Sequence, residues 1–580
     1  MKRAHAYRAI AVWAAVWFAV VSSMGVSLCA QETAAPSHTG FPQDWSQQHI
    51  VFSRDGLAQH PDLLYREPRV LQQAMQRWQT PNFGAFDGSE SVPAADNSGP
   101  HSDWNLTAFG SRLSINAYPS KYSINPAAPP DCTNDYVVFG LDTTSTGTLA
   151  NLVALNNLYV DPADNGFCPG KAPVVMFAYD ITTQTGGHIV TSPVISVNGQ
   201  KIAFVESVPA SAGTAQSIFH VVTWAANLPT NRGAIGAAVP PTNDIFFSLP
   251  LAKNDITSSP WVDYALDIAY VGSANGAIYK ITGVFKGTPT LDTTAPWPVT
   301  VIANSALTSP VLDSNLNMLM VGAANGNLYQ IDASTGVVSA THLAVGQGNN
   351  HAILAAPIVD VTNGVTFVVS SDCGNVCATG VPYGAVLVEA DTASVTLLAE
   401  ASIGQGSFLG PPNVNLYQPA LDNNYYNSPS TGSIHLCGTG PTDTTPWQYA
   451  FGFTVPVAQP ILNPTALVAQ PIPTTPMTST GTCSGWTEFF NPNIGVGGTD
   501  FFFFGLTMDC TAAGAAGGCV EELAINGGTP TLTPVKINGG PTAVVVDNYA
   551  NSATYPQASS IYFMARSVNT AYKYTQNGLQ

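Results

Sequence analysis

Four aspartates hold equivalent places along the chain and are its most regular candidates for chemistry. Each follows a proline and two or three apolar residues and precedes a polar turn; they are Asp263, Asp313, Asp360 and Asp422. A carboxylate at such a position can accept backbone N–H bonds from the turn that follows it. A repeating fold could instead bring the four together as a ring that binds a cation. Their spacing of one per repeat favours the turn interpretation.

Cysteine usage predicts disulfides. Apart from Cys29 in the N-terminal apolar segment, the chain has an even number of cysteines, as expected for an exported protein. Neighbours are the simplest pairs, because each bridge would close a loop within one structural unit, although spacing alone leaves other connectivities open. The predicted pairs are Cys132–Cys168, Cys373–Cys377, Cys437–Cys483 and Cys510–Cys519. The Cys373–Cys377 spacing would also suit a metal or redox site, but no second pair or histidine cluster accompanies it, which favours a disulfide.

Motifs of the common enzyme classes are absent from the sequence. Gly404–Gly410 is rich in glycine but lacks the Gly-x-Ser-x-Gly pattern of α/β-hydrolases. No His-Glu-x-x-His zinc motif occurs. The internal histidines are dispersed and are expected to pack in the core or lie on the surface; they include His188, His220, His342, His351 and His435. We therefore predict no catalytic, cofactor-binding or metal-ligating residue, and no cofactor.

The elements that carry these residues recur along the chain. A proline followed by apolar residues appears at Ser192–Ile195, Ser259–Asp263, Ser309–Asp313, Ala356–Asp360, Gln418–Asp422 and Gly540–Val544. A compact apolar strand appears eight times, mostly a short turn after this segment. Its copies are Tyr136–Gly140, Ile202–Val205, Ile268–Gly272, Met318–Gly322, Val365–Val369, Ser433–Cys437, Phe501–Gly505 and Ile561–Met564.

This repeat predicts an all-β fold, a β-propeller of four-stranded blades. The strands recur at intervals of roughly 50 to 70 residues, which suits one blade per repeat. They are continuous apolar runs, as expected where each blade is covered on both faces by its neighbours. Eight blades are preferred, and seven are possible if the two ends of the chain share one blade. The propeller is expected to span residues 131–580.

Two segments resemble a known repeat. Val271–Tyr279 and Val321–Gly336 each place Asn-Gly between two strands, a strong hairpin signal. They resemble the pyrroloquinoline-quinone-like repeat of quinoprotein dehydrogenases and of a bacterial outer-membrane assembly lipoprotein. The whole chain resembles a group of exported propeller proteins from soil bacteria. The resemblance implies the fold only, because Val337 and Val338 stand where the dehydrogenase repeat approaches a tryptophan, and vicinal cysteines are missing.

The N-terminal 130 residues differ from the repeats. Lys2, Arg3 and Arg8 precede an uncharged apolar run, which predicts a signal peptide over residues 1–30 with cleavage after Ala30. Retention of this segment as a membrane anchor is the alternative. Residues 31–130 are expected to form an arm and linker, with one short helix beginning near Pro68. The arm is expected to pack on the propeller rim, or else to form a separate module.

Composition limits the function. Only 9% of residues are charged, and the net charge is −18, so nucleic acid is excluded as a partner. The favoured function is a binding or scaffold protein, secreted, periplasmic or at the cell envelope. Its partner would be a protein or glycan, it is expected to be monomeric, and the mature chain is expected to have no membrane span unless the signal is uncleaved. The alternative is a propeller enzyme, an oxidoreductase or hydrolase, with its site at the channel mouth.

Overall fold

The computed structural model is a β-propeller of eight blades. It describes residues 41–52, 54 and 100–579. Gaps in the second of these ranges fall at 108, 124–129, 144–147, 163–165, 211–213, 225–231, 256, 347–352, 374–376, 378–382, 407–414, 444, 455–458, 473–480, 492–493, 495–496, 509, 511–516, 527–529, 549–556 and 577–578. The predicted signal peptide and the helix expected near Pro68 lie outside these residues. Within them, the helices whose bounds are described are the short segments Trp45–His49, Asn423–Asn427 and Pro429–Thr431.

Each blade is an antiparallel sheet whose strands follow one another from the central channel outwards. In blades 1 to 4 the strands are Ser120–Ser123, Tyr136–Gly140, Leu152–Asn156 and Val174–Tyr179; Val194–Ile195, Lys201–Val208, Gln216–Thr223 and Asp244–Ser248; Trp261–Asp263, Ile268–Gly272, Ala277–Thr282, and Thr290–Leu291 with Val299–Thr300; and Val311–Asp313, Met318–Gly322, Asn327–Asp332 and Leu343–Ala344. In blades 5 to 8 they are Ile358–Asp360, Val365–Ser370, Gly384–Asp391 and Thr396–Gln405; Ala420–Leu421, Ser433–Thr439, Pro446–Thr454 and Ile461–Pro471; Thr487–Asn491, Thr499–Leu506, Gly518–Ile525 and Thr531–Ile537; and Val545–Asn548, Ser559–Ala565, Thr570–Thr575 and His101–Leu106.

The predicted repeat is confirmed. Each of the eight apolar motifs forms the second strand of a blade, and the proline segments lead into or form the innermost strands. The Asn-Gly turns also have the expected backbone, with φ of 90° at Gly276 and 81° at Gly326. Both faces of a blade pack on neighbouring blades, so most strand residues on either face are buried. Among the described residues, no helix is long and apolar enough to cross a bilayer.

The ring is closed by strands from both ends of the chain. His101–Leu106 pairs antiparallel with Thr570–Thr575 and forms the outermost strand of blade 8. This shared blade is the eighth, so the alternative of seven blades does not apply. The propeller also begins earlier than the expected boundary at 131, because blade 1 starts with Ser120–Ser123. Pairing between segments as distant as His101–Leu106 and Thr570–Thr575 leaves no local sequence signal.

A segment of the expected N-terminal arm crosses the central channel. Phe41–Gln43 pairs antiparallel with Ser120–Ser123 on the channel side of blade 1. Ile50–Val51 pairs in parallel with Ile358–Asp360 of blade 5, on the opposite side of the ring. Between them, Trp45 is buried in the core formed by blades 2 to 5. We call residues 41–52 the plug; it lies in the channel, not on the rim, because the inner strands offer it unpaired backbone groups and apolar side chains.

Residues 456–482 are rich in proline and threonine, which predicts a long connection between blades. The structure instead places Ile461–Pro471 as the outer strand of blade 6, paired with Pro446–Thr454. Its prolines mask the strand signal, but an outermost strand has one edge without a ladder, where proline is tolerated.

Candidate ligand pocket at the channel mouth

A ring of serine hydrogen bonds explains the recurring Ser-Pro motif. The backbone N–H of Tyr118 in blade 1 donates to Ser192 Oγ at 2.9 Å. The Ser192 N–H donates to Ser259 Oγ at 2.9 Å, and the Ser259 N–H donates to Ser309 Oγ at 2.7 Å. Each serine therefore ties its blade to the preceding one at the end of the channel where the inner strands begin. We call this end the channel mouth.

A second set of hydroxyls identifies the equivalent residues in other blades. Ser258 and Thr308, directly before the ring serines, accept the N–H groups of Gly272 and Gly322 in the second strands. Ser484 of blade 7 accepts from Gly505 in the same way. The residue after Ser484 therefore occupies a ring position. By this alignment the ring positions of blades 5, 6 and 7 hold Ala356, Gln418 and Gly485 in place of serine.

A pocket opens at the channel mouth beside blades 5 to 7, whose ring positions lack serine. It encloses about 370 Å³, counting the solvent space of its open mouth. The plug supplies Trp45 and His49, and the loops before the inner strands supply the rest of the lining. Those residues are Asn116, Tyr118, Thr257, Ser259, Ser309, Leu354, Ala355, Ala356, Tyr417, Gln418 and Gly485. Six of the eight blades thus meet the plug at one site.

Buried polar atoms without a partner converge on this pocket. They are the indole Nε1 of Trp45, both ring nitrogens of His49, the hydroxyl of Tyr118, and both amide atoms of Gln418. None of these atoms has a hydrogen-bond partner among the described residues, and each of the four side chains is at most 4% exposed. An unsatisfied buried donor or acceptor costs about 1–3 kcal/mol. Such atoms are normally satisfied by a ligand, by water or by other polar groups.

The pocket is electrically neutral. None of its lining residues is Asp, Glu, Lys or Arg. Burial lowers the pKa of His49 to about 3, so its imidazole is uncharged at neutral pH and carries one donor and one acceptor nitrogen. Burial likewise raises the pKa of Tyr118 above its ordinary value. The Tyr417 pKa is raised to about 12 by burial, although the charge of Arg566 opposes the shift.

Gly485 controls the space beside the Tyr118 hydroxyl. A Cβ atom at residue 485 would lie 1.9 Å from the Tyr118 hydroxyl oxygen and 3.2 Å from Gln418 Cβ. The absence of a side chain at this position therefore keeps the pocket open between blades 6, 7 and 1.

The four repeat aspartates lie at the other end of the inner strands. Oδ1 of Asp263, Asp313 and Asp360 each accepts two backbone N–H groups of the following turn. Oδ1 of Asp422 accepts the Tyr425 N–H and caps the helix Asn423–Asn427. Each of these carboxylates is therefore hydrogen-bonded to the segment that directly follows it. In the part of the chain that the structure describes, no three of these carboxylates lie close enough to share a metal ion.

The structure contains the four neighbouring disulfides expected from the sequence: Cys132–Cys168, Cys373–Cys377, Cys437–Cys483 and Cys510–Cys519. One differs from the expectation that each closes a loop within a blade. Cys437 lies in the second strand of blade 6, whereas Cys483 precedes the inner strand of blade 7. This bridge therefore joins two blades beside the pocket residues Gln418 and Gly485.

Sequence reasoning missed the pocket residues. Tyr118 and Gln418 do carry a signal, since each stands directly before a proline where three other repeats have serine. A departure from the repeat at a structurally important position is a sign of function. Trp45 and His49 carry no such signal, because their position depends on the plug entering the channel.

Comparison with known proteins adds little beyond the fold. No family model matches the sequence, and no curated protein matches it. Similar solved structures include the Dos1 propeller, with 12% identity and a TM-score of 0.46 over 82% of this chain and 95% of that one. BamB from Moraxella catarrhalis has 11% identity and a TM-score of 0.38 over 82% of this chain and all of the other. Sequence identities and TM-scores this low do not indicate a ligand or a partner.

Proposed function

We propose that this chain is an exported binding protein that holds a small molecule, or one end of a larger one, at the channel mouth. The observation that carries the proposal is the convergence of unpartnered buried polar atoms from the plug and from blades 1 and 6 on one open pocket. Tyr118 and Gln418 lie directly before inner strands, and Trp45 and His49 lie on the plug between paired strands of blades 1 and 5. The site is thus formed before the ligand arrives, which favours affinity.

Export is supported by the basic and apolar N-terminal sequence together with four disulfides. The plug begins after the expected cleavage position at Ala30, so removal of the signal would leave the pocket complete. Secretion, the periplasm and the envelope surface all fit these features.

The chemistry of the pocket favours binding over catalysis. Its described lining has no carboxylate or ammonium to act as a general acid, base or nucleophile. His49, the histidine in the lining, has a pKa of about 3, far below the range in which an imidazole exchanges protons at neutral pH. The enzyme alternative therefore receives no support from these side chains.

The proposal is tested with Gly485→Ala, whose methyl group must displace the Tyr118 hydroxyl. Gly452→Ala is the matched control, because its Cβ would meet nothing closer than 3.3 Å, at the end of the Leu467 side chain. We expect compounds found by a thermal-shift screen of neutral, cationic and anionic small molecules to stabilise the wild type and Gly452→Ala but not Gly485→Ala. If no compound of any class stabilises the wild type, or Gly485→Ala responds equally, the proposal is wrong.

A further inference from the structure

The polar atoms in the pocket define the chemistry of what it can hold. The indole N–H of Trp45 can only donate, whereas the Gln418 amide offers two donors and an acceptor. Neutral His49 offers one donor and one acceptor, and the Tyr118 hydroxyl can act as either. A ligand that satisfies this mixture must both donate and accept over a small area. Hydroxyl groups do so with a single atom.

Because the described pocket lining carries no charge, an ionic group of a ligand at its base would be buried without a counter-charge. Burying a charge without a counter-charge is costly, and no described lining residue provides one. The nearest cation with an effect on the lining is Arg566, whose charge lowers the pKa of Tyr417. An anionic ligand is thus the main competitor and must be included in any test.

The pocket lining is mixed in polarity. Gln418, Tyr118 and His49 bring unpartnered polar atoms, whereas Leu354, Ala355 and Ala356 are apolar. A pyranose ring combines the same two characters, since its hydroxyls lie around the edge and its C–H groups form the faces. The pocket is open at its mouth, so further residues of a saccharide can extend into solvent.

Resting on the proposed function, we infer that the pocket binds the terminal residue of an uncharged saccharide. The Gln418 amide, the His49 imidazole and the Tyr118 hydroxyl bind its hydroxyl groups, and Leu354–Ala356 contact a face of the ring. The plug is part of the site, because it contributes His49 and Trp45.

Gln418→Leu tests this inference, because it removes two unpartnered polar atoms and keeps nearly the same volume. The backbone carbonyl of Gln418, which accepts the Trp486 N–H, is unaffected. We expect the melting temperature to stay unchanged or rise, since a buried unsatisfied amide is removed. Affinity for a neutral sugar is expected to fall about tenfold or more, since hydrogen bonds to the ligand are lost. Gln200→Leu, in a blade 2 turn beyond the far end of the inner strand, is the matched control.

The probes are N-acetylglucosamine and glucose as neutral sugars, glucosamine as the cationic counterpart and glucuronate as the anionic one, measured by titration calorimetry. Binding of a neutral sugar to the wild type and Gln200→Leu, but weakly to Gln418→Leu, supports the inference. Binding of the charged sugars only would overturn it, while leaving the proposed binding function intact. Equal binding by Gln418→Leu, or a lower melting temperature in that variant, also overturns it. If no sugar binds the wild type, the inference is wrong, and the screen with Gly485→Ala then decides separately whether the pocket binds another small molecule.

Discussion

At the scale of single residues, His220 shows how a buried group can titrate far from its ordinary range. Its Nδ1 lies 2.7 Å from Asp244 Oδ2, and its Nε2 lies 3.1 Å from Glu206 Oε2. The ring stacks on Phe204 at 5.0 Å and on Phe246 at 5.4 Å. Burial alone would lower the His220 pKa, but the hydrogen bonds to Asp244 and Glu206 outweigh it and raise the pKa to about 9. The imidazolium therefore donates one hydrogen bond to each of two acidic side chains inside blade 2.

The ion pair makes the stability of blade 2 depend on pH. The folded pKa lies above the unfolded value near 6.5, so the contribution of His220 is complete below about pH 6.5. It is lost as the pH rises through 9, and amounts to about 3 kcal/mol. We expect His220→Gln to reduce the free energy of unfolding at pH 6 and to differ much less from the wild type at pH 9.5, as measured by urea denaturation.

His435→Gln is the control for this prediction. His435 is also buried, but burial lowers its pKa to about 3, so it is neutral at both pH values. The cost of replacing it is expected to be slightly smaller at pH 6 than at pH 9.5, the opposite trend to His220, because His435 takes up a proton near pH 6.5 only in the unfolded chain. A difference between His220→Gln and the wild type that stayed constant or grew with pH would contradict the assignment of His220 as a cation.

At the scale of elements, the seam between blades 8 and 1 is held by buried charges. Lys121 Nζ, from the inner strand of blade 1, lies 2.8 Å from Asp547 Oδ2 in the inner strand of blade 8. The Tyr159 hydroxyl contacts both Asp135, at 2.8 Å, and Asp547, at 3.2 Å. Lys573 pairs with Asp103 on the closing strand His101–Leu106. Backbone pairing and ion pairs therefore both join the two ends of the chain.

Lys121→Met is expected to destabilise the protein strongly, because it leaves Asp547 buried without its cation. Breaking one side of a buried ion pair typically costs about 3–5 kcal/mol. Lys280→Met is the matched control, since Lys280 and Asp292 lie 3.6 Å apart and are both partly exposed. Its loss should cost less than about 1 kcal/mol. Chemical denaturation of both variants tests the difference; equal costs would show that the seam charges do not hold the ring closed.

The elements that sequence could predict are those whose signal is local. The second strands are continuous apolar runs, and their turns are marked by residues such as Asn325 and Gly326 within a few positions. The closing strand and the plug carry no such signal, because His101 pairs with Thr575 and Ile50 pairs with Val359. The pocket is hard to predict from sequence for the same reason. Its blade residues depart visibly from the repeat. Its other residues, Trp45 and His49, lie on the plug, which is more than 300 positions from Ala356, the ring residue of blade 5.

At the scale of the whole molecule, acidic side chains are buried in several blades. Burial raises the pKa of Asp313 to about 6, of Asp255, Glu521 and Glu522 to about 7, and of Glu389 to about 8. Asp255 Oδ2, Asp313 Oδ2, Glu389 Oε1 and Glu521 Oε2 have no hydrogen-bond partner among the described residues. A protonated carboxyl suits such sites, since only the charged form carries the full cost of burial.

These groups predict a protein that is most stable in mildly acidic solution. A carboxyl whose folded pKa exceeds its unfolded value contributes fully below that unfolded value, near 4, and the contribution is lost as the pH rises to the folded pKa. His49 and His435 act in the opposite sense, because their lowered pKa values reduce stability as the pH falls from about 6.5 towards 3. The net charge of −18 also favours acid, where repulsion is reduced. We expect the melting temperature to peak near pH 5 and to fall towards pH 8.

Glu389→Gln isolates one of these contributions. Glu389 Oε2 accepts the Leu462 N–H at 2.6 Å, and the amide oxygen of glutamine can accept it as well. The variant is expected to be more stable than the wild type at pH 8 and to have a flatter pH profile between 5 and 8, because no buried charge forms. Asp332→Asn is the control: Asp332 caps an exposed turn, and backbone hydrogen bonds lower its pKa, so its titration ends below this range. A Glu389→Gln profile parallel to that of the wild type would show that Glu389 is ionised in the folded protein throughout.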